Sequence, residues 1–225
     1  MALTVTNVSA IADKIERPFN VVTLAVVGDL NLSVYLCQGA VNWHKHPDED
    51  ELFLIHEGVV GLETERGSLV LHPEELAVVP KGTVHRSGSA LRSVVMLIRP
   101  TAFTSQRNGH RKLYALESDP PLEKVRLARV GATLSAAYQA AALARVEDFE
   151  LLLLRAEGFG PTETAPGHGA LWFVLRGAVG VEIDQGAGTR LEAGELTVVP
   201  RGQQYRLSAT QSALLLTLAR AGTAD

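Results

Sequence analysis

The chain has 225 residues, of which 46% are hydrophobic and 20% charged, with a formal net charge of −4 and an isoelectric point near 6.0. This is the composition of an ordinary globular protein, and its acidic balance offers no basic stripe for a phosphate backbone, so nucleic acid is not an expected partner. A single cysteine, Cys37, excludes an intrachain disulfide. No apolar run approaches a membrane span, and the first residues lack a basic start with an apolar core, so the expected location is cytoplasmic.

In chain order, Val8, Ile11 and Ile15 stand at helical spacing in "NVSAIADKIERP", which Pro18 closes. From there to about residue 100 the texture is that of β structure, with glycine and proline punctuating short Val-, Leu- and Thr-rich runs. The candidate strands are "FNVVTLAVV", "LNLSVYLCQG", "ELFLIHEGVVGLETE", "GSLVLHP", "ELAVVPKG" and "RSVVMLIRP". Residues 101–125 are polar, lack a period and carry a Pro-Pro pair; they are expected to form a linker or surface arm. An Ala-rich helix is expected in "VGATLSAAYQAAALARV". Strands then resume with "FELLLLRAEG", "ALWFVLRGAVGVEID", "TRLEAGELTVVPRG" and "SALLLTLAR".

The β texture occurs twice because the sequence does. "ELAVVPKGTVHR" at 75–86 reappears as "ELTVVPRGQQYR" at 195–206, and "LIHEGVVGLETERG" at 54–67 as "VLRGAVGVEIDQG" at 174–186. Shared composition does not produce matched Pro-x-Gly spacing in the same order, so the chain contains two copies of one β fold. The expected division is residues 1–100, a linker over 101–125, and residues 126–225.

The first copy carries a candidate metal site. On a strand, residues two apart share a face at roughly 6.6 Å, so His44 and His46 in "WHKHPDEDE" aim into one cavity while Lys45 faces away. Glu51 follows on the next strand, with Phe53 and Ile55 on its face and His56 on the other. After the "PKG" turn, His85 opens a further strand. Three imidazoles and a carboxylate suit a borderline divalent ion. An exposed acidic loop with incidental histidines is the plainer alternative, and Asp48, Glu49 and Asp50 are expected to be a solvated turn. His56, His72 and His110 are expected to be structural or exposed, and Cys37 a small buried hydrophobe.

"GAVNWHKHPDEDELFLIHEG" resembles the first cupin motif, and "PEELAVVPKGTVH" resembles the second. Gly39 stands one residue nearer His44 than is usual, Glu74 occupies the common glycine position, and Ser89 stands where asparagine is frequent. The resemblance implies an all-β chain of two tandem cupin (double-stranded β-helix or jelly-roll) barrels with a few short helices. It further implies that His44, His46, Glu51 and His85 ligate a single divalent transition metal (Mn, Fe, Ni, Zn, Co or Cu) in the N-terminal barrel.

The second copy presents Glu163 opposite His44, Ala165 opposite His46, Ala170 opposite Glu51 and Tyr205 opposite His85. Alanine cannot ligate a metal, so this barrel is expected to be metal-free. Glu163, His168, Trp172 and Tyr205 either line a small-molecule pocket or support packing. The resemblance thus implies a bicupin whose partner is a small molecule, with neither nucleic acid nor membrane involved, and it allows a homodimer. Cupin folds host many chemistries. The leading expectation is a metal-dependent isomerase, cyclase or dioxygenase acting on a small carbonyl, enol, keto-acid or sugar-like molecule. The alternative is a non-catalytic ligand-binding or regulatory cupin with a structural metal. No catalytic acid, base or nucleophile stands out; Tyr35, Cys37, Phe53 and Met96 are candidates for an apolar cavity wall.

Overall fold

A computed structural model describes residues 3–102, 107–108, 120–183 and 188–222. His110 and most of the expected linker lie outside these residues. The first half comprises β1 (Thr6–Asn7), α1 (Val8–Ala12), β2 (Val22–Val27), β3 (Leu30–Ala40), β4 (His44–Lys45), β5 (Glu51–Glu57), β6 (Val60–Thr64), β7 (Gly67–Leu71), β8 (Glu75–Val79) and β9 (His85–Pro100). Then come β10 (Arg107–Asn108), β11 (Lys124–Arg126), α2 (Leu127–Gly131), β12 (Ala140–Val146) and β13 (Phe149–Thr164). The chain finishes with β14 (Ala170–Arg176), β15 (Ala178–Ile183), β16 (Thr189–Glu192), β17 (Glu195–Val199) and β18 (Gln204–Arg220). The protein is all-β, with two short helices among the described residues, none of them long and apolar enough to cross a membrane.

Two compact units divide the chain. One contains Ala12–Leu24 and Leu30–Arg126; the other contains residues 1–11, Ala25–Asp29 and Leu127–Asp225. In the first unit, β9 is the backbone of the sheet, pairing antiparallel with β3, β4, β5 and β6. Alternation on these strands sends Tyr35, Cys37, Phe53, Ile55, Val95 and Leu97 into one core cluster. In the second unit β18 pairs with β13, β14 and β15, around a core that includes Ala165, Trp172, Val174, Tyr205 and Leu215. The register repeats along with the sequence: Leu54 faces Met96 and Phe173 faces Leu216.

Each unit also takes in a short strand from a distant part of the chain. β1 pairs with β17, Thr6 opposite Leu196, and β11 pairs with β8, Lys124 opposite Ala77. The backbone of β10 pairs with β4, Asn108 opposite His44.

Two expectations are corrected. The Ala-rich segment is not a helix beyond α2; Ala140–Val146 is a strand paired with β13. Cross-strand pairing overrides the helix propensity of alanine. The first helix stops at Ala12 with Val8 and Ala12 buried, and Ile15 is buried just beyond its end.

Candidate metal centre

The turns that bracket the site are fixed by backbone chemistry. Gly82, at φ 79°, donates its N–H to the His46 carbonyl at 2.7 Å, locking the "PKG" turn onto the loop that carries His46. The acidic turn is tied to the same place, since the Lys81 N–H donates to Asp50 Oδ1 at 2.9 Å. Gly58, at φ 80°, closes β5; a Cβ there would sit on the Ser93 side chain and within 2.8 Å of its Cα, so only glycine fits.

His44 on β4 stands opposite His85 at the start of β9, and their ring centroids are 4.4 Å apart. The His46 ring lies 5.1 Å from His44 and 5.7 Å from His85. Glu51 opens β5, and its Oε2 lies 3.0 Å from His85 Nε2 and 3.3 Å from His46 Nε2. One donor atom from each of the four residues falls within 4.8 Å of all the others. His46, Glu51 and His85 are buried and His44 is half-buried. Among the described residues, no other group of His, Cys, Asp or Glu converges in this way.

These donors fit a divalent metal. Two ligands at about 2.1 Å and right angles stand roughly 3.0 Å apart, close to the observed Glu51–His85 separation. The Nδ1 atoms of His44 and His85 lie 2.8 Å from the Asn42 carbonyl and 3.0 Å from the Thr83 carbonyl. Protonated there, each ring donates to its carbonyl and turns a bare Nε2 inward. Burial, reinforced by the neighbouring His85 and His46, lowers the His44 pKa to about 4, so its ring is neutral near pH 7. Burial alone would raise the Glu51 carboxyl; hydrogen bonds from His46 and His85 more than offset it and hold it below the usual carboxylate range. Glu51 is therefore ionised, as a ligand must be.

A cavity of about 130 Å³ opens beside the cluster, lined by His44, His46 and Glu51 with Phe19, Val21, Tyr35, Val41, Phe53, Ser87, Leu97 and Arg99. Two expected wall residues, Tyr35 and Phe53, are present. Cys37 is buried in the core cluster instead, and burial pushes its thiol up to about 11. Met96 is also no wall residue: it pairs with Val34 and Leu54 on the face opposite the Val95–Leu97 row. The reading of residues 48–50 as a solvated turn is corrected at Glu49, which is 4% exposed with Oε2 3.8 Å from His46 Nδ1. His56 does not line the cavity, and His72 lies 3.4 Å from Glu75 at a turn. Arg99, missed in the sequence, donates from Nη1 to Glu51 Oε1 at 3.3 Å.

The second copy keeps the scaffold and fills the site. Glu163 pairs in register with Tyr205, as His44 does with His85. The Tyr205 hydroxyl donates to Glu163 Oε2 at 2.6 Å. Burial and the acceptor Glu163 raise the phenol, keeping it protonated. Ala165 and Ala170 are buried, and Trp172 packs 5.9 Å from the Tyr205 ring. Tyr138 lies against Gly160 and donates to the Gly158 carbonyl at 2.8 Å.

Comparison with known proteins agrees with this architecture. The family model described as Cupin domain matches residues 34–97, which span β3 to β9. YdbB of Bacillus subtilis (strain 168), an uncharacterized protein, is 32% identical over 93 residues, covering 41% of this chain and 82% of YdbB. Among solved structures, salicylate 1,2-dioxygenase from Pseudaminobacter salicylatoxidans superposes with a TM-score of 0.80 at 14% identity, over 98% of this chain and 84% of that one. The same enzyme with gentisate gives 0.78 at 12% identity, over 98% and 81%. A Cupin 2 conserved barrel domain protein from Leptotrichia buccalis gives 0.69 at 12% identity, over 98% of both chains. The chain belongs to the cupin family, and it is a bicupin.

Proposed function

We propose that this bicupin is a metal-dependent enzyme of the dioxygenase type, acting on a small oxygenated molecule at the N-terminal barrel, with His44, His46, Glu51 and His85 as the metal ligands. The observation that carries the reading is the convergence of the four donors within 4.8 Å of one another, beside a cavity that His44, His46 and Glu51 line. A divalent transition ion held there would supply Lewis acidity and exchangeable positions for substrate oxygens.

The chain's own residues supply the rest. Phe19, Phe53 and Leu97 exclude water and so strengthen every electrostatic interaction in the pocket. The Asn42 and Thr83 carbonyls fix the orientation of two imidazoles. Burial keeps the Tyr35 phenol protonated, leaving a hydroxyl donor on the wall. Likeness in fold to an enzyme named salicylate 1,2-dioxygenase, whose structure is also known with gentisate, supports dioxygen chemistry over isomerisation or cyclisation. A dioxygenase transfers both atoms of dioxygen to its substrate and needs no external reductant.

The test loads the purified protein with Fe(II) or Mn(II) and follows dioxygen uptake with salicylate, gentisate, diketones and hydroxyketones. The expected result is a single ion per chain and a product carrying both atoms of labelled dioxygen. His46→Ala and Glu51→Gln are expected to lower metal affinity by at least about tenfold and to abolish uptake. Tight ligand binding with no turnover across the panel would replace this reading with a non-catalytic binder. Two ions per chain would overturn the assignment of the second barrel as metal-free.

A further inference from the structure

The metal-side face of the cavity is made by His44, His46 and Glu51; the wall beside it carries polarity of a different kind. Arg99 ends the inward row Val95, Leu97, Arg99 on β9 and lines the cavity. Tyr35 and Ser87, both 4% exposed, stand on β3 and β9 with their hydroxyl oxygens 3.2 Å apart. The Arg99 Nη1 stands 3.3 Å from Glu51 Oε1, which sets a positive charge on the cavity wall beside the donor cluster. Once a divalent ion is counted with Glu51 and Arg99, the pocket is net positive, and an anionic occupant balances it.

The second barrel serves as an internal control. Its pairing register sets Ala219 in the place of Arg99, because Asn31 faces Arg99 and Glu150 faces Ala219. By the same register Leu154 replaces Tyr35 and Leu207 replaces Ser87. The copy that has alanines at donor positions has also lost the arginine and both hydroxyls. Charge and hydroxyls on this wall therefore go with the donor cluster and are not required by the barrel.

The geometry points to Arg99 as the anchor for a substrate carboxylate, with Tyr35 and Ser87 as flanking hydrogen-bond donors, so that the cavity takes small organic acids whose neighbouring hydroxyl, enol or keto oxygen reaches the donor cluster. This rests on the functional reading above and narrows its substrate class. Phe19 and Tyr35, their ring centroids 6.0 Å apart and tilted by 32°, offer a flat aromatic or enolic acid an apolar wall behind its polar edge.

The test compares salicylate with its uncharged amide, salicylamide, by calorimetric titration of Mn(II)-loaded protein, with metal content measured on the same samples. In the wild type the acid is expected to bind more tightly than the amide by at least about tenfold, the usual worth of a charge-assisted hydrogen bond. Arg99→Gln is expected to erase that preference while keeping the metal, and Arg99→Lys to restore part of it. Equal binding of acid and amide by the wild type, or an undiminished preference in Arg99→Gln, would overturn the anchor. Loss of metal in Arg99→Gln with the acid preference retained on reloading would overturn it too, leaving Arg99 a support for Glu51. If the wild type takes up no metal, the functional reading fails instead, and the acid–amide comparison on metal-free protein decides Arg99 separately.

Discussion

At the scale of single residues, the repeat provides paired positions in which the same backbone demand meets different side chains. Glu74 and Gly194 are such a pair. Both hold positive φ, 60° and 84°, and each donates its N–H to an equivalent carbonyl, Ile55 at 3.0 Å and Val174 at 2.8 Å. A left-handed conformation costs a residue with a Cβ roughly 1–2 kcal/mol, and glycine gives back part of that relief through its freer unfolded chain. Glu74→Gly is expected to stabilise the protein by about 0.5 kcal/mol, and Gly194→Ala to destabilise it by about 1 kcal/mol; urea midpoints of the two variants decide. The four donors were legible in the sequence because spacing and strand alternation act on neighbours along the chain. Arg99 was not, since it follows the apolar run "SVVMLI" like any strand-ending cation. It shares the inward face of β9 with Val95 and Leu97, but a run apolar at every position does not show which face turns inward. Glu49 was misread for the converse reason: a run of acids reads as solvated until the loop folds back over His46.

At the scale of elements, the clearest case is the Glu75 contact between β8 and β11. Glu75 accepts from Lys124 Nζ at 2.7 Å, from Arg126 Nε at 2.9 Å and from the His72 N–H at 3.0 Å. Burial would raise its carboxyl, but these donors outweigh burial and lower it from the ordinary 4.5 to about 2. A carboxyl with a depressed folded pKa contributes stability that is complete above its unfolded pKa and is lost as pH falls through the folded one. The wild type is therefore expected to lose stability between pH 4.5 and about 2. Glu75→Gln should be less stable at neutral pH by about 1–3 kcal/mol and should flatten that acid limb, as thermal melts across the range will show. The strand–turn alternation of most elements was legible from glycine and proline punctuation. Composition misled at Ala140–Val146, where seven residues of apparent helix are a strand with one buried face. The repeat already held the correction, because an offset of 119 residues lays this segment on the strand "VTLAVV" of the first half.

At the scale of the whole molecule, β11 and β1 are the informative strands. The unit that holds the donor cluster borrows Lys124–Arg126, and the other unit takes in residues 1–11. This crossing was not legible in the sequence, because a two- or three-residue strand has no period of its own. A chain ending at residue 102 is expected to leave the β8 edge uncovered, to self-associate and to bind metal weakly. A chain ending at residue 131 should recover much of the metal stoichiometry, as metal content after gel filtration will report. There is a consequence for synthesis on the ribosome. Strand Thr6–Asn7 must wait for Glu195 and Leu196, and the Thr4 carbonyl accepts from a Thr197 hydroxyl 193 residues later in the chain. Thr6–Asn7 therefore stays unpaired on the ribosome until residues 195–197 have been made. Such late closure of a long loop predicts slow final folding and makes Thr6–Asn7 a point where a chaperone would act long.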